Sequence, residues 1–241
     1  MLLIGSPLIM DAEKEVSTVQ FRHEVKHEIS YLDMPVLRQR LKAVMKTDSH
    51  TRDGRYEIRS LYFDSPDDKA LRKKLNGVIT REKYRIRLYN NDPSVIRMER
   101  KFKHGALGYK DTVSLTPEQA QRIANGDIRW MAESADEVLL GFYSRLRNEG
   151  LTARVIVDYI REPFVFGPGN VRVTLDYDIR TALRCTDFLN PNCTTIPAPG
   201  DPCILEVKWD NYLPDVIRDM VQLGDRHSVA YSKYAACRMY D

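Results

Sequence analysis

Three acid–base pairs share one spacing in the sequence: Glu24-Val25-Lys26, Glu99-Arg100-Lys101 and Glu206-Val207-Lys208. In an extended chain, residues two apart point to the same face, so each segment presents a carboxylate beside an ammonium. A second group is basic. Lys83, Arg85 and Arg87 alternate through one stretch, and Arg172 alternates with Thr174 and Asp176 in another. Guanidinium forks suit bidentate contact with phosphate oxygens, and lysine suits point-charge contact. Carboxylates among such cations repel phosphate unless a divalent ion lies between them. Mg2+ or Mn2+ is commonly held by one or two carboxylates together with phosphate oxygens. A basic clamp beside an acidic metal seat is the layout of phosphoryl transfer.

The elements that must position these residues read as strands. Around the first pair, Phe21, Val25 and Ile29 alternate with Arg22, Glu24, Lys26 and Glu28. Residues 82–90 set Tyr84, Ile86 and Leu88 against the basic trio, and residues 95–103 set Ile96, Met98 and Phe102 against Arg97, Glu99, Lys101 and Lys103. Residues 171–179 and 203–210 repeat the pattern, and weaker strand signals cover 55–64, 110–115 and 153–162. About eight strands suit a closed antiparallel barrel or a two-sheet sandwich. If the apolar faces lie outward under helices, the charged faces converge on a lumen. Like charges about 4 Å apart repel by about 4 kcal/mol at an effective dielectric near 20, so such a lumen calls for a polyanion.

Helices punctuate the strands. Asp33 is expected to cap a segment to Lys46, Ser65-Pro66 to open one that stops at Gly77, and Thr116 with Gln119 to form a capping box. Ser134 with Glu137 is expected to open a helix to Gly150, and Pro214 one closed by Gly224. Asp64 reads as a helix cap rather than a catalytic acid. Residues 185–202 read as a surface loop.

The 241 residues carry 37 Lys+Arg against 34 Asp+Glu, a net of +3, which excludes a protein that coats nucleic acid or membrane with a wholly basic surface. At 43% hydrophobic and 29% charged, the composition is that of a globular chain. No apolar run approaches the roughly 18 residues of a membrane span. Residues 1–20 read as a poorly ordered leader and residues 21–241 as a single domain. Cys185, Cys193, Cys203 and Cys237 lack zinc spacing and are expected as free thiols of a cytoplasmic protein.

Seven stretches in order carry a resemblance. They are Arg22-His23-Glu24-Val25-Lys26, Ser60-Leu61-Tyr62-Phe63-Asp64-Ser65-Pro66, Lys83-Tyr84-Arg85-Ile86-Arg87-Leu88-Tyr89 and Met98-Glu99-Arg100-Lys101, then Arg172-Val173-Thr174-Leu175-Asp176, Ile204-Leu205-Glu206-Val207-Lys208 and Ser232-Lys233-Tyr234. Together they resemble the polyphosphate-polymerase (VTC) domain of the vacuolar transporter chaperone family, in its short bacterial form, within the triphosphate tunnel metalloenzyme (CYTH-like) superfamily. The resemblance implies an α+β, mainly antiparallel β fold: an eight-stranded closed barrel, the tunnel, with helices packed outside. It implies that Lys26, Arg85, Arg87, Lys101, Arg161, Arg172, Lys208 and Lys233 bind the phosphates of ATP and polyphosphate. Arg85, Arg87, Lys208 and Lys233 would act in catalysis. Glu206 would hold Mn2+ or Mg2+, with Glu24 and Glu99 as helpers. The implied reaction moves the γ-phosphate of ATP onto a growing polyphosphate chain and releases ADP. The first strand departs from the superfamily's Glu-x-Glu-x-Lys order, reading Glu24, Lys26, Glu28.

By alternation alone Arg161 shares a face with Val155, Val157 and Tyr159 and reads as an edge residue, and Lys233 reads as an exposed lysine. His23 and His27 fall among packing residues, whereas Tyr62, Tyr89 and Tyr234 are candidates to meet phosphate at a tunnel mouth. The resemblance also implies no nucleic-acid partner, a monomer or weak oligomer, and room for a membrane-protein partner to take the product. Three other readings remain open: a triphosphatase of the same fold, a non-catalytic polyphosphate-binding module, and a sandwich whose charged faces are merely solvated.

Overall fold

The computed structural model describes residues 21–224 and 226–239; the leader read at residues 1–20 lies outside them. In chain order come β1 (Arg22–Ile29), α1 (Asp33–Val44), the short β2 (Lys46–Thr47), β3 (Tyr56–Asp64) and α2 (Lys69–Leu75). They are followed by β4 (Thr80–Tyr89), β5 (Asp92–His104), β6 (Leu107–Leu115), α3 (Pro117–Ala124) and α4 (Glu137–Asn148). The rest is β7 (Thr152–Phe166), β8 (Val171–Thr181), the short β9 (Ile196–Pro197), β10 (Cys203–Trp209), α5 (Asp215–Met220) and α6 (Lys233–Cys237).

Hydrogen-bonded neighbours run β7-β3-β4-β5-β6-β1-β10-β8, and β8 pairs back onto β7. That pairing closes eight antiparallel strands into a barrel and removes the sandwich reading, which needs open sheet edges. The β4–β5 hairpin shows how local sequence sets register. Asn90 and Asn91 both adopt positive φ, +53° and +51°, and Tyr89 pairs with Asp92. Two left-handed residues in a two-residue loop match the strand twist, and asparagine tolerates that conformation.

Helices cover the outer face. Ile123 of α3 and Phe142 of α4 are buried against Leu61, Ile86 and Met98. Leu37 and Leu41 of α1 and Ile217 of α5 are buried against Val173, Leu205 and Val207. Alternation then turns Arg85, Arg172, Glu206 and their neighbours inward. A third cluster departs from that scheme. Val155 pairs with Tyr62 and Val157 with Ser60, and directly opposed residues share a face, so both valines point inward with Tyr62. Ile179 and Ile204 join them, with Tyr234 and Cys237 of α6 buried in their midst. One sector of the lumen is therefore apolar, because α6 packs into it and needs a dry surface.

Asp64 ties this sector together. Its buried carboxylate accepts from the Ser65, Ala70 and Leu71 backbone N–H groups at 2.9, 2.8 and 3.0 Å and from the Tyr234 hydroxyl at 2.6 Å. The cap expected there forms, although α2 itself begins at Lys69. Asp64→Ala orphans these donors and should cost roughly 3 kcal/mol, read as a lower urea midpoint. An unchanged midpoint would mean that α2 and α6 stand without this anchor.

The other helix starts shift by a few residues. The Thr116–Gln119 capping box forms as expected. Asp33 lies inside α1, exchanging hydrogen bonds with Ser30, whose hydroxyl accepts from the Asp33 N–H at 3.2 Å. Asp136 rather than Ser134 caps α4, accepting from Val138 and Leu139. α5 ends at Met220, before Gly224, because Val221 closes its last turn. The four cysteines are free, with the Cys185 and Cys193 sulfurs 3.2 Å apart in the 185–202 loop. Among the described residues, no helix is long and apolar enough to cross a membrane.

Candidate functional site

The barrel encloses a cavity of about 1120 Å³. Lys26 reaches it from β1, Arg85 and Arg87 from β4, Lys101 from β5, Arg161 from β7, Arg172 from β8 and Lys208 from β10. Lys233 enters from the first turn of α6. All eight cations singled out from the sequence line this one space.

Carboxylates are threaded among them. Glu206 is 4% exposed and ion-pairs with Lys26 at 3.3 Å, Arg161 at 3.7 Å and the neighbouring Lys208. Glu24 pairs with Lys101 at 2.7 Å, Lys26 at 3.1 Å and Lys208 at 3.6 Å. Glu24 and Glu206 thus share Lys26 and Lys208 and sit side by side. Asp176, on the same inward face of β8 as Arg172, takes the Arg161 fork on both oxygens at 2.6 and 2.7 Å and Lys233 Nζ at 2.5 Å. Glu99 lies apart. It is fully buried and held by Arg85 at 2.5 Å, Lys110 at 3.0 Å and Arg87 at 3.7 Å, none of which pairs with Glu24 or Glu206.

These contacts set the charge states. Burial pushes the Glu206 carboxyl up, yet Lys208, Lys26 and Arg161 outweigh it and hold the group well below the usual carboxylate range. Glu24 ends equally low, where Lys101, Lys26 and Lys208 overcome burial and the repulsion of Glu206. The ionised carboxylates in turn hold Lys26 above the ordinary lysine range against burial. Lys83 behaves oppositely: burial, then Lys26, Lys101, Lys74 and Arg81, bring it down to about 7.

Glu24 and Glu206 supply hard oxygen donors of the kind a Mg2+ or Mn2+ ion takes. Thr174 Oγ1, directly opposite Glu206 on the inward face, is buried with no hydrogen-bond partner. The residues fit such an ion provided that substrate oxygens complete its shell. Among the described residues, no three His, Cys, Asp or Glu side chains converge, so Glu24, Glu99 and Glu206 do not form one seat. The separation has a plain cause, since Glu99 is committed to the guanidinium of Arg85 beside it on β4.

A VTC domain model matches residues 21–240. The chain belongs to the VTC domain family. No curated protein matches it significantly. Among solved structures, it is similar to a Hippeastrum protein described as an adenylyl cyclase with a dominant triphosphatase activity. That similarity has a TM-score of 0.51 at 13% identity, over 91% of this chain and 95% of that one. It concerns the fold alone. A mimivirus capping-enzyme triphosphatase overlaps with a TM-score of 0.40 at 12% identity, over 83% and 85% of the two chains, too weak to carry an argument.

Within this VTC domain, two residues that alternation misjudged find their place. Arg161 is no edge residue: it stands opposite Asp176 in the β7–β8 ladder, just past a register shift between Asp158 and Ile160. Lys233 is not exposed, because α6 turns it inward, 4.6 Å above the Tyr159 ring. Among the tyrosines, Tyr62 accepts from Arg85 at 2.9 Å, while Tyr234 donates its hydroxyl to Asp64 and serves structure. His23 stacks on Trp209 at 5.3 Å with its edge at the cavity rim, and His27 is bonded to the Arg226 carbonyl. Sequence reasoning left Asp48 unmarked, which pairs with Arg172 at 2.7 Å, and did not carry Lys83 into the binding set. Lys83 was legible on the charged face of its strand. Asp48 sits between elements and offered no pattern.

Proposed function

We propose that this VTC domain is a metal-dependent polyphosphate polymerase. A terminal oxygen of a polyphosphate chain attacks the γ-phosphorus of ATP, the bond to the β-phosphate oxygen breaks, and ADP leaves. The observation that supports this most is the barrel cavity that eight cations and the adjacent Glu24 and Glu206 all line. Arg85 and Arg87 are presented as a pair from one strand face, braced by Glu99, Tyr62, Tyr159 and Ser60. Arg161 is fixed by Asp176. Such bracing removes reorganisation cost when charge spreads over the transferring phosphoryl group. Lys26, Lys101, Arg172, Lys208 and Lys233 supply further contacts along the phosphates, and Arg85, Arg87, Lys208 and Lys233 are assigned to the transferring group. Glu206 and Glu24 would hold the Mn2+ or Mg2+ ion, which when bound neutralises phosphate oxygens.

Incubation with ATP and Mn2+ should yield acid-stable long-chain phosphate and ADP. Release of inorganic phosphate alone would replace the polymerase with a triphosphatase, and binding without turnover would leave a polyphosphate-binding module. A pH dependence follows as well. Lys83 faces Lys26 on β1, Lys101 on β5, Lys74 on α2 and Arg81 on β4, and burial with these cations brings it down to about 7, while burial brings Lys101 down to about 8. A bound phosphate chain favours the charged form, so binding takes up a proton. Polyphosphate affinity at constant ionic strength should be flat below pH 7. Above it, affinity should fall by up to about tenfold per pH unit for one proton. A profile flat from pH 6 to 9 would remove Lys83 from the binding surface.

A further inference from the structure

A second cavity, of about 500 Å³, lies beside the C-terminal end of α6 and is lined by Asp68, Leu71, Ala153, Arg154, Arg184 and Arg238. It shares no lining residue with the barrel cavity. Three guanidiniums face one carboxylate there, and that carboxylate is already engaged, since Asp68 accepts from Arg238 at 3.0 Å. Arg154 reaches the cavity through a fault in the sheet. In the β3–β7 ladder Tyr62 pairs with Val155 and Phe63 with Ala153, which makes Arg154 the extra residue of a β-bulge. Bulges re-aim the side chains they carry and are favoured beside functional sites.

The three arginines differ in what holds them. Arg154 donates one guanidinium nitrogen to the Ser65 carbonyl at 2.7 Å, while its Nε is buried with no hydrogen-bond partner. Arg184 is exposed, and among the described residues no hydrogen bond or ion pair engages its guanidinium. Arg238 is nearly buried and braced, donating to Asp68 and, at 2.9 Å, to the Tyr234 hydroxyl. A guanidinium cannot shed its charge, so donors left over beside a braced arginine are a standing cationic excess. A tetrahedral oxyanion relieves it, because guanidinium forks meet pairs of phosphate oxygens. A lining with one engaged carboxylate offers a divalent ion little, so the anion is taken bare.

We propose that Arg154, Arg184 and Arg238 form a site for inorganic phosphate or pyrophosphate, outside the barrel and separate from the seat of the nucleotide. The site goes beyond the polymerase reading and stands whichever reaction the barrel performs. It reaches the barrel through one helix. Arg238 directly follows α6 and donates to Tyr234, and the residue before Tyr234 is Lys233, which enters the barrel cavity. An anion held by Arg238 therefore steadies the helix that presents Lys233.

Crystals soaked in tungstate, a heavy tetrahedral analogue of phosphate, should show an anomalous peak among Arg154, Arg184 and Arg238. Peaks confined to the barrel would overturn the site. In solution the barrel cations are filled first with one equivalent of tripolyphosphate, and inorganic phosphate or pyrophosphate is then titrated by calorimetry at constant ionic strength. The double variant Arg154→Gln/Arg184→Gln should weaken the titrated anion by about tenfold or more, while tripolyphosphate stays within about threefold. Arg184→Lys keeps the charge without the fork and should fall between wild type and the double variant. Arg154 also holds the Ser65 carbonyl, so a melting temperature is taken for each variant. Arg184→Gln alone should melt with wild type and still weaken the anion several-fold. Unaltered affinity in the double variant, or an equal loss of tripolyphosphate, would overturn the proposal, and the tighter of the two titrated anions names the ligand. Chain synthesis from ATP is scored apart from these measurements, so its absence would remove the polymerase and leave the anion site standing.

Discussion

Glu206→Gln should abolish turnover and at the same time tighten metal-free binding of tripolyphosphate. The carboxylate is nearly buried, is held ionised by Lys208, Lys26 and Arg161, and stands beside Glu24. As the proposed chief seat of the divalent ion, its loss should lower kcat by more than about 10³-fold, the scale set by removing a group that stabilises transition-state charge. In chelator the sign reverses. A neutral amide no longer repels phosphate and no longer occupies the lysines, so tripolyphosphate should bind roughly tenfold tighter. A purely structural role would not produce opposite signs in the two measurements. Turnover within about threefold of wild type, or metal-free binding that weakens, would dismiss Glu206 as the metal ligand.

Glu99→Gln carries the largest expected cost to stability. Glu99 is fully buried with Arg85, Arg87 and Lys110 around it, and these cations hold its carboxyl well below the usual range against burial. Removing one member of a buried ion network leaves the others uncompensated, at a cost of about 3–5 kcal/mol. For a chain of this size that lowers the melting temperature by roughly 10 °C. Because the folded-state pKa is depressed, the stabilisation is present above the unfolded carboxyl's pKa and is lost as pH falls through the folded one. The deficit of the variant should therefore be full at pH 7 and shrink in acid. Turnover should fall as Arg85 loses its brace, while the Mn2+ concentration for half-maximal activity stays put. A raised metal requirement with unaltered melting would instead make Glu99 a ligand.

Much of the site was legible because strand alternation is a local property. Arg85, Arg87, Lys101, Arg172 and Lys208 announce themselves by lying opposite Ile86, Met98, Val173 and Val207, covering helices make those apolar faces the outside, and Lys26 alternates with Val25 in the same way. Arg161 and Lys233 were not readable this way. Arg161 keeps the alternation of β7, whose pairing with β3 runs unbroken from Val155 to Arg161, but a face that carries Val155 and Val157 gives no sign that it turns inward, and Lys233 rides on a five-residue helix whose direction is set by what it packs against. The same helix explains why Val155 and Val157 point inward.

Alternation of charged and apolar residues on several strands, the phosphate chemistry that suits those charges, and a net of +3 compatible with a segregated cationic interior are all readable from the amino-acid order. Tertiary structure alone decided three further matters. Closure of β7 on β8 makes one cavity of separate strand faces. Ion pairing across the lumen divides the carboxylates, Glu24 and Glu206 staying together while Glu99 is drawn behind Arg85. The strap before α6 sets neutral oxygens of Ser232 and Ala230 against Lys83 and Lys74. The physical reason is range: side-chain alternation is fixed within a few bonds, whereas charge pairing in a barrel depends on which strands meet, whether hairpin neighbours such as those of Arg85 and Glu99 or strands distant in the chain such as those of Lys26 and Glu206.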